Sequence, residues 1–141
     1  MSEGPLPVAT NREHAATSAY NGTRGMCLAS ALEYALSLRA RTRGLLGRDC
    51  LEPGHGMLFS ARGLPVMWMH TMGMRFSIDI IFLDRHDRVL RIDHDLRPWR
   101  FSSLVLGARQ ALELPAGTAQ AAQTAIGDRI LFERDGRSAP G

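Results

Sequence analysis

The chain has 141 residues, of which 45% are hydrophobic and 22% charged, a composition typical of one globular domain. These values exclude a chain that is disordered throughout, a collagen-like repeat and a coiled coil. The net charge is +3, and all 17 basic residues are arginine. Because these arginines are scattered and mostly alternate with acids, as in residues 84–88, the sequence disfavours nucleic-acid binding.

The cysteine count and the N-terminal residues indicate the cellular location. Cys27 and Cys50 are too few for a disulfide framework, and we expect two reduced thiols. No secretory signal and no 18-residue apolar run is visible, so we expect a cytoplasmic protein without a membrane span. We further expect a monomer with a flexible tail over residues 1–22, one domain over residues 23–134 and a loose end over residues 135–141.

The first predicted elements are a strand and a helix. Residues 23–36 favour a strand, although the spacing of their apolar residues also fits a helix. Ser37 is a suitable N-cap for the main helix, which we expect over about residues 38–48.

The rest of the chain alternates short apolar runs with glycine and proline turns, which predicts strands. The run from Ile78 to Leu83 is apolar on both faces, so it should be an internal strand. Residues 84–88 should form a hairpin loop, and residues 118–125 one or two helical turns. The other predicted strands are 57–59, 66–71, 89–96, 109–114 and 129–133.

This pattern predicts an α+β fold that is predominantly β. We expect about seven short strands in a strongly bent antiparallel or mixed sheet, or in a small barrel, with one main helix packed on it.

Several motifs appear in one order between Arg41 and Phe132. They are Arg-Thr-Arg-Gly-Leu-Leu at 41–46, Gly-Met-Leu-Phe at 56–59, His-Thr-Met-Gly-Met-Arg-Phe-Ser-Ile-Asp-Ile-Ile-Phe-Leu-Asp at 70–84, Pro-Trp-Arg at 98–100, Leu-Glu-Leu-Pro-Ala-Gly at 112–117 and Gly-Asp at 127–128. In these motifs the chain resembles a small bacterial and archaeal family, the domain of unknown function numbered 192. The resemblance implies a compact, mostly β domain with one helix, and it implies no established activity, cofactor or partner.

The chain departs from the family pattern at three places. Many relatives carry Trp-Met-Lys-Asn-Thr where this chain has His70-Thr71, and this difference replaces a cation. Many relatives have proline where this chain has Ser77, and glycine where it has Asp87. Aspartate adopts a left-handed turn conformation at modest cost, so Asp87 is compatible with the hairpin.

His70, Arg75 and Asp79 are the leading site candidates, because they bring an imidazole, a guanidinium and a carboxylate to one connection. The arginine could bind an anionic group of a ligand, and the aspartate could orient the histidine. A structural alternative has Asp79 accepting backbone N–H groups of residues 72–77, with Arg75 as its ion-pair partner. The full set of predicted ligand-binding residues is His70, Thr71, Arg75, Asp79, Trp68, Met74, Trp99 and Glu113.

Two further groups of residues were weighed as chemical sites. Glu113 could pair with Arg109 or Arg129, or join Asp79 in a carboxylate pair, whereas Asp128 is best explained as a turn residue. The sequence lacks zinc-binding spacings, and we expect neither a metal nor another cofactor. The metal candidates considered were His70, His86, His94, Asp93 and Asp95.

Three functions follow from these patterns. The first is a non-enzymatic binding or accessory domain with a small polar or anionic ligand, or a peptide, near His70, Arg75 and Asp79. The second is a hydrolase or transferase that uses His70 as general base, oriented by Asp79. The third is a module that docks on a protein partner through a surface of methionine and tryptophan, drawn from residues 67–74 and Trp99.

Overall fold

The computed structural model describes residues 16–35, 48–61 and 63–134, and these form a predominantly β fold with one short helix. This confirms the predicted α+β class. The elements in chain order are β1 (Ser18–Asn21), β2 (Met26–Ala29), β3 (Ala31–Ala35), β4 (His55–Ser60), β5 (Val66–Met67), β6 (Ile78–Leu83), β7 (Val89–Leu96), β8 (Val105–Leu106), β9 (Gln110–Pro115), α1 (Thr118–Ala121) and β10 (Ile130–Glu133).

The centre of the domain is a five-stranded mixed sheet with strand order β3-β4-β9-β6-β7. The β3–β4 pair is parallel, and the other neighbours are antiparallel. The prediction for Ile78–Leu83 is confirmed, because β6 pairs with β9 on one side and β7 on the other. Its five apolar side chains are fully buried, and each gains about 1.5–3 kcal/mol by leaving water.

A second sheet covers one face of the central sheet. It has the order β10-β1-β2, and α1 packs beside it. Alternation along β6 sends Ile81 and Leu83 to this face. There they pack in one cluster with Leu28, Ala119 and Ile130.

The opposite face is covered by β5, β8 and the segment between β5 and β6. Ile78, Ile80 and Phe82 point to this face. They pack with Met57, Phe59, Met67, Met69, Met74 and Val105, so most methionines of the predicted methionine-tryptophan stretch belong to the core. The two strands β5 and β8 form their own antiparallel pair, with Val66 opposite Leu106 and Met67 opposite Val105.

Several predicted boundaries need correction. The fold contains ten strands in the described residues rather than about seven, and they form open sheets rather than a barrel. The strand expected over residues 23–36 is split into β2 and β3 at the exposed Ser30. The strand expected over residues 66–71 is regular only over Val66–Met67, and an isolated bridge between His70 and Phe101 follows it.

Three further expectations concern the N-terminal boundary, the main helix and the two tails. Residues 18–21 were expected to belong to the N-terminal tail, but they form β1, the middle strand of the second sheet, with Ala19 and Asn21 buried. The main helix expected over 38–48 falls, except for Arg48, outside the described residues. Residues 1–15 and 135–141, parts of the expected tails, also lie outside them.

Candidate functional site

Asp79 is a buried structural carboxylate on the face of β6 that α1 covers. Its Oδ1 accepts the N–H of Asp95 at 2.9 Å, and its Oδ2 accepts the N–H groups of Gly117 at 3.0 Å and Ala119 at 2.9 Å. The expectation of backbone donors was correct in kind, but the donors come from β7 and from the start of α1, not from residues 72–77. Asp79 therefore joins three elements of the fold.

Arg75 does not pair with Asp79. Its Nη1 lies 3.2 Å from Oδ1 of Asp49, and both of these side chains are mostly exposed. Exposed ion pairs of this kind contribute little to stability, so Arg75 can exchange Asp49 for another anion.

His70 and Thr71 lie on the layer over the opposite face from the Asp79 carboxylate. His70 forms the bridge with Phe101, and its Nδ1 accepts the N–H of Met72 at 3.2 Å. The Thr71 hydroxyl is buried, donates to the Arg97 carbonyl at 2.6 Å and accepts the Arg100 N–H at 2.9 Å. The His70-Asp79 pair of the enzymatic hypothesis is therefore not formed, and Thr71 anchors a loop.

Glu113 and Met74, two more predicted ligand-binding residues, are buried in the core. Glu113 is fully buried on β9, with Met57 of β4 and Ile80 of β6 directly opposite. Met74 belongs to the methionine-rich cluster beneath β5 and β8. Neither side chain lies at a surface that a ligand could reach in this state.

The metal candidates do not converge. Across the described ranges, no group of three His, Cys, Asp or Glu side chains is placed to hold a metal ion. Asp93 instead binds Ser103, whose N–H and hydroxyl lie 2.6 Å and 2.9 Å from its carboxylate oxygens. Cys27 and Cys50 are both exposed free thiols.

A shallow pocket of about 350 Å³ lies at the turn between β6 and β7. Asp84 in its wall accepts the N–H groups of His86 and Arg88. Burial acts to raise the pKa of Asp84, but these hydrogen bonds outweigh it and the pKa is lowered. Asp87 adopts the left-handed conformation expected of it, with φ of 61°, and burial raises its pKa. These features explain a hairpin turn rather than a ligand site.

Of the predicted site residues, Arg75, Trp68 and Trp99 are exposed, and the two tryptophans lie in a larger exposed apolar surface. We call this surface the aromatic face. It consists of Leu64, Trp68, Trp99, Phe101, Leu104 and Leu106, whose side chains are 49–75% exposed. Trp68 and Phe101 touch across the two segments, with ring centroids 5.6 Å apart.

The aromatic face is rigidly supported from below. Alternation along β5 and β8 directs Met67 and Val105 into the core and leaves Leu106 outside. The Ser102 hydroxyl accepts the Met69 N–H at 2.8 Å, and the Ser102 N–H donates to the Met69 carbonyl at 2.9 Å. The apolar side chains are therefore held outward by an ordered backbone.

The two segments that build the aromatic face, residues 63–77 and 97–109, carry charges of one sign. They contain Arg75, Arg97, Arg100 and Arg109 and no acidic residue, while Asp49 and Asp93 reach them from outside, at Arg75 and Ser103. Arg75, Arg97 and Arg100 are exposed. Apolar side chains beside cations favour a partner that is apolar and anionic.

Sequence analysis missed four members of the aromatic face, namely Leu64, Phe101, Leu104 and Leu106. The sequence predicted no strand between residues 96 and 109, so the apolar residues there other than Trp99 were given no role. The apolar run Leu104-Val105-Leu106, between two serines and a glycine, is the signal that could have indicated a short strand.

No helix in the described part of the chain is long and apolar enough to span a bilayer. A family model, DUF192, described as an uncharacterized ACR, matches residues 19–132. A UPF0127 protein of Pyrococcus furiosus is 29% identical over 119 residues, which cover 81% of this chain and 97% of the relative. A UPF0127 protein of Thermococcus sibiricus is 30% identical over 113 residues, covering 80% of this chain and 73% of the relative.

Two solved structures share the fold. One is a Sinorhizobium meliloti protein whose name proposes a transcription regulator; it is 25% identical, with a TM-score of 0.63, over 72% of this chain and 80% of the neighbour. The other is a protein of unknown function from Novosphingobium aromaticivorans, 21% identical, with a TM-score of 0.66, over 81% of each chain. The fold and the match over residues 19–132 agree, and the chain belongs to the DUF192 family, whose function is uncharacterised.

Proposed function

We propose that this chain is a non-enzymatic binding domain that docks through its aromatic face on an anionic partner. The observation that carries the proposal is the exposure of Leu64, Phe101, Leu104 and Leu106 beside two tryptophans, on segments whose only charged side chains are arginines. Large exposed apolar patches on folded domains mark interaction surfaces.

This proposal replaces the small-ligand site as the leading function. The small-ligand site needed His70, Arg75 and Asp79 to converge, but the Asp79 carboxylate is occupied by three backbone N–H groups on the far side of the sheet. The sequence predicted a docking surface of methionine and tryptophan. We keep only its tryptophans in the proposed surface, because Met67, Met69 and Met74 are buried.

The enzymatic alternative has less support. It required Asp79 to orient His70 as a general base, and the two side chains lie in different layers of the fold. The names of the relatives and neighbours state no catalytic activity. We therefore infer an accessory role. We also propose, as expected from the sequence, that the protein is cytoplasmic and monomeric.

The name of the Sinorhizobium neighbour would suggest nucleic acid as the partner. The wider charge pattern argues against a duplex site. Arg85 and Arg88 alternate with acids, and Arg24, Arg75 and Arg91 each pair with an aspartate. A coherent basic stripe is the usual requirement for duplex binding.

The proposal is tested by placing a photoreactive residue in the aromatic face of the full chain in cells. We expect Leu104→p-benzoylphenylalanine to give discrete adducts, and Leu131→p-benzoylphenylalanine, on exposed β10 across the domain, to give none. Adding Trp68→Ser and Phe101→Ser should remove the adducts at position 104. Equal yields from both positions, or no adduct at position 104, would contradict the proposal.

A further inference from the structure

The most exposed apolar side chains of the aromatic face lie at two adjacent turns. Leu64 precedes Pro65 at the start of β5, and Leu106 precedes Gly107 at the end of β8. The Gly107 N–H donates to the Pro65 carbonyl at 3.0 Å, which holds the two turns together. Leu64 and Leu106 thus lie at one end of the β5–β8 pair, whereas Leu104 precedes Val105, the partner of Met67, and lies toward Trp68 at the other end. Each of these three leucines is at least 64% exposed.

The backbone at this end offers little to a peptide that adds a strand. β5 and β8 are only two residues long each, and Pro65, which precedes β5, has no N–H. The Leu64 N–H already donates to the Ala61 carbonyl at 3.2 Å. A peptide that adds a strand needs a continuous row of free edge donors and acceptors. A partner that contacts the exposed side chains rather than the backbone therefore fits this end better.

The side chains behind the leucines are those found at lipid headgroups. Trp68, Trp99 and Phe101 carry large rings, and Arg97 and Arg100 are exposed on the same loop. Tryptophan prefers the boundary between headgroups and acyl chains, and arginine is attracted to anionic phosphates. The face thus combines the three kinds of side chain that a membrane surface holds at successive depths: leucine, aromatic ring and arginine.

We propose that the aromatic face binds the surface of an anionic phospholipid bilayer. In this arrangement Leu64, Leu104 and Leu106 enter the acyl region, the tryptophans lie at the interface, and Arg75, Arg97 and Arg100 contact headgroup phosphates. This inference rests on the proposed docking function and names its partner as lipid rather than protein.

The chain supplies its own probe for this proposal, because its only two tryptophans are Trp68 and Trp99. We expect the emission of the full chain to shift to shorter wavelength with vesicles of equal parts phosphatidylcholine and phosphatidylglycerol. Phosphatidylcholine vesicles alone and inorganic phosphate should give no shift. The protein should sediment with the anionic vesicles, and rising salt should weaken that binding.

Two sets of variants separate the apolar and charged contributions. Leu64→Ser with Leu106→Ser should weaken vesicle binding by at least about tenfold, and Arg97→Gln with Arg100→Gln should weaken it several-fold and reduce its salt dependence. The matched control is Leu131→Ser, an exposed leucine on β10, which should bind like the wild type. Circular dichroism should show the same melting temperature for every variant, because all five side chains are exposed.

Vesicle binding that survives the leucine pair, or equal binding to neutral vesicles, would overturn the lipid assignment. The absence of vesicle binding would also overturn it, and a tryptophan shift on poly-glutamate or on a single-stranded oligonucleotide would then indicate a protein or nucleic-acid partner. In those cases protein or nucleic-acid adducts from position 104 would leave the docking proposal standing, whereas no adduct at all would end both.

Discussion

Single polar residues in the interior fasten separate parts of this fold together. Asp79 shows this most clearly, since its two oxygens accept N–H groups from β7 and from the start of α1. The carboxylate is tolerated there because three backbone N–H groups donate hydrogen bonds to it, and these bonds offset the loss of its contacts with water. The carboxylate that the sequence proposed to orient His70 is therefore a structural one.

Replacing Asp79 with asparagine removes the charge and turns one acceptor oxygen into a donor that faces backbone N–H groups. We expect Asp79→Asn to lower the free energy of unfolding by about 2–4 kcal/mol, measured by urea denaturation. Asp95→Asn, at the exposed residue of β7 whose backbone N–H binds Asp79, should change it by less than about 0.5 kcal/mol. An Asp79→Asn protein of wild-type stability would return Asp79 to the list of ligand-binding candidates.

Asp128 performs the same task for β1. Burial acts to raise the pKa of Asp128, but hydrogen bonds from the Asn21 side chain, the Ala125 N–H and the Arg24 guanidinium outweigh it, and the pKa lies below its ordinary value of 3.8. A carboxyl group whose pKa is lower in the folded state than in the unfolded state stabilises the fold fully at pH values above its unfolded-state pKa. That stabilisation is lost as pH falls through the folded value.

We therefore expect Asp128→Asn to be less stable than the wild type at neutral pH, with a difference that shrinks as the pH falls below about 4. Urea midpoints measured for both proteins between neutral pH and the acid range give the comparison. Asp49→Asn, which alters an exposed ion pair, should follow the wild-type curve throughout. A pH-independent gap between Asp128→Asn and the wild type would show that the lost hydrogen bonds, and not the charge, account for the effect.

Some strands of this fold can be predicted from their local sequence, whereas the lengths of others depend on contacts with residues far away in the chain. The sequence predicted β6, β7 and the hairpin between them because a long apolar run, a polar turn and an alternating run are local signals. It did not predict that β5 and β8 shrink to two residues each, since their pairing depends on contacts such as Ser102 with Met69. It likewise could not find the donors of Asp79, which lie 16 to 40 residues away in the chain.

Several of the hydrogen bonds that hold the loop with Trp99 and Phe101 are made by Thr71. Thr71 bonds the Arg97 carbonyl and the Arg100 N–H through its side chain, and its own carbonyl accepts the Trp99 N–H at 3.0 Å. Trp99 itself has a φ of 63°, a conformation unfavourable for a bulky residue that the surrounding bonds maintain.

Thr71→Val keeps the shape of this side chain and removes its hydrogen bonds. We expect a loss of about 1–3 kcal/mol in unfolding free energy and faster amide exchange at Trp99 and Arg100, measured by NMR. Thr23→Val, which removes a bond to the Arg129 N–H at the other side of the domain, should leave exchange at Trp99 unchanged. Unaltered exchange at Trp99 in Thr71→Val would mean that the backbone bonds alone hold the loop.

At the scale of the whole molecule, the fold is three layers whose spacing depends on small residues. Gly56 of β4 lies where the second sheet approaches the central one: an added Cβ would come within 3.0 Å of the Leu114 side chain and 3.1 Å of the Ala29 side chain. The layers approach this closely because position 56 has no side chain, and the apolar cluster between them excludes water.

Gly56→Ala should therefore destabilise the domain by about 1–3 kcal/mol, although alanine generally suits a strand better than glycine. The check is a double-mutant cycle with Ala29→Gly, which removes one of the two opposing atoms. We expect the pair to be less unstable than the sum of the single changes. Strict additivity would place the strain elsewhere, at Leu114.

The first and last strands of the described residues, β1 and β10, are hydrogen-bonded neighbours, with Ser18 opposite Glu133 and the Thr17 N–H donating to the Glu133 carbonyl. Both belong to the layer on the far side of the central sheet from the aromatic face. A tether, a tag or a host protein joined at either strand would consequently leave that face uncovered. The same adjacency makes the domain a natural candidate for circular permutation, because a short linker would join β10 to β1 without crossing the surface that docks.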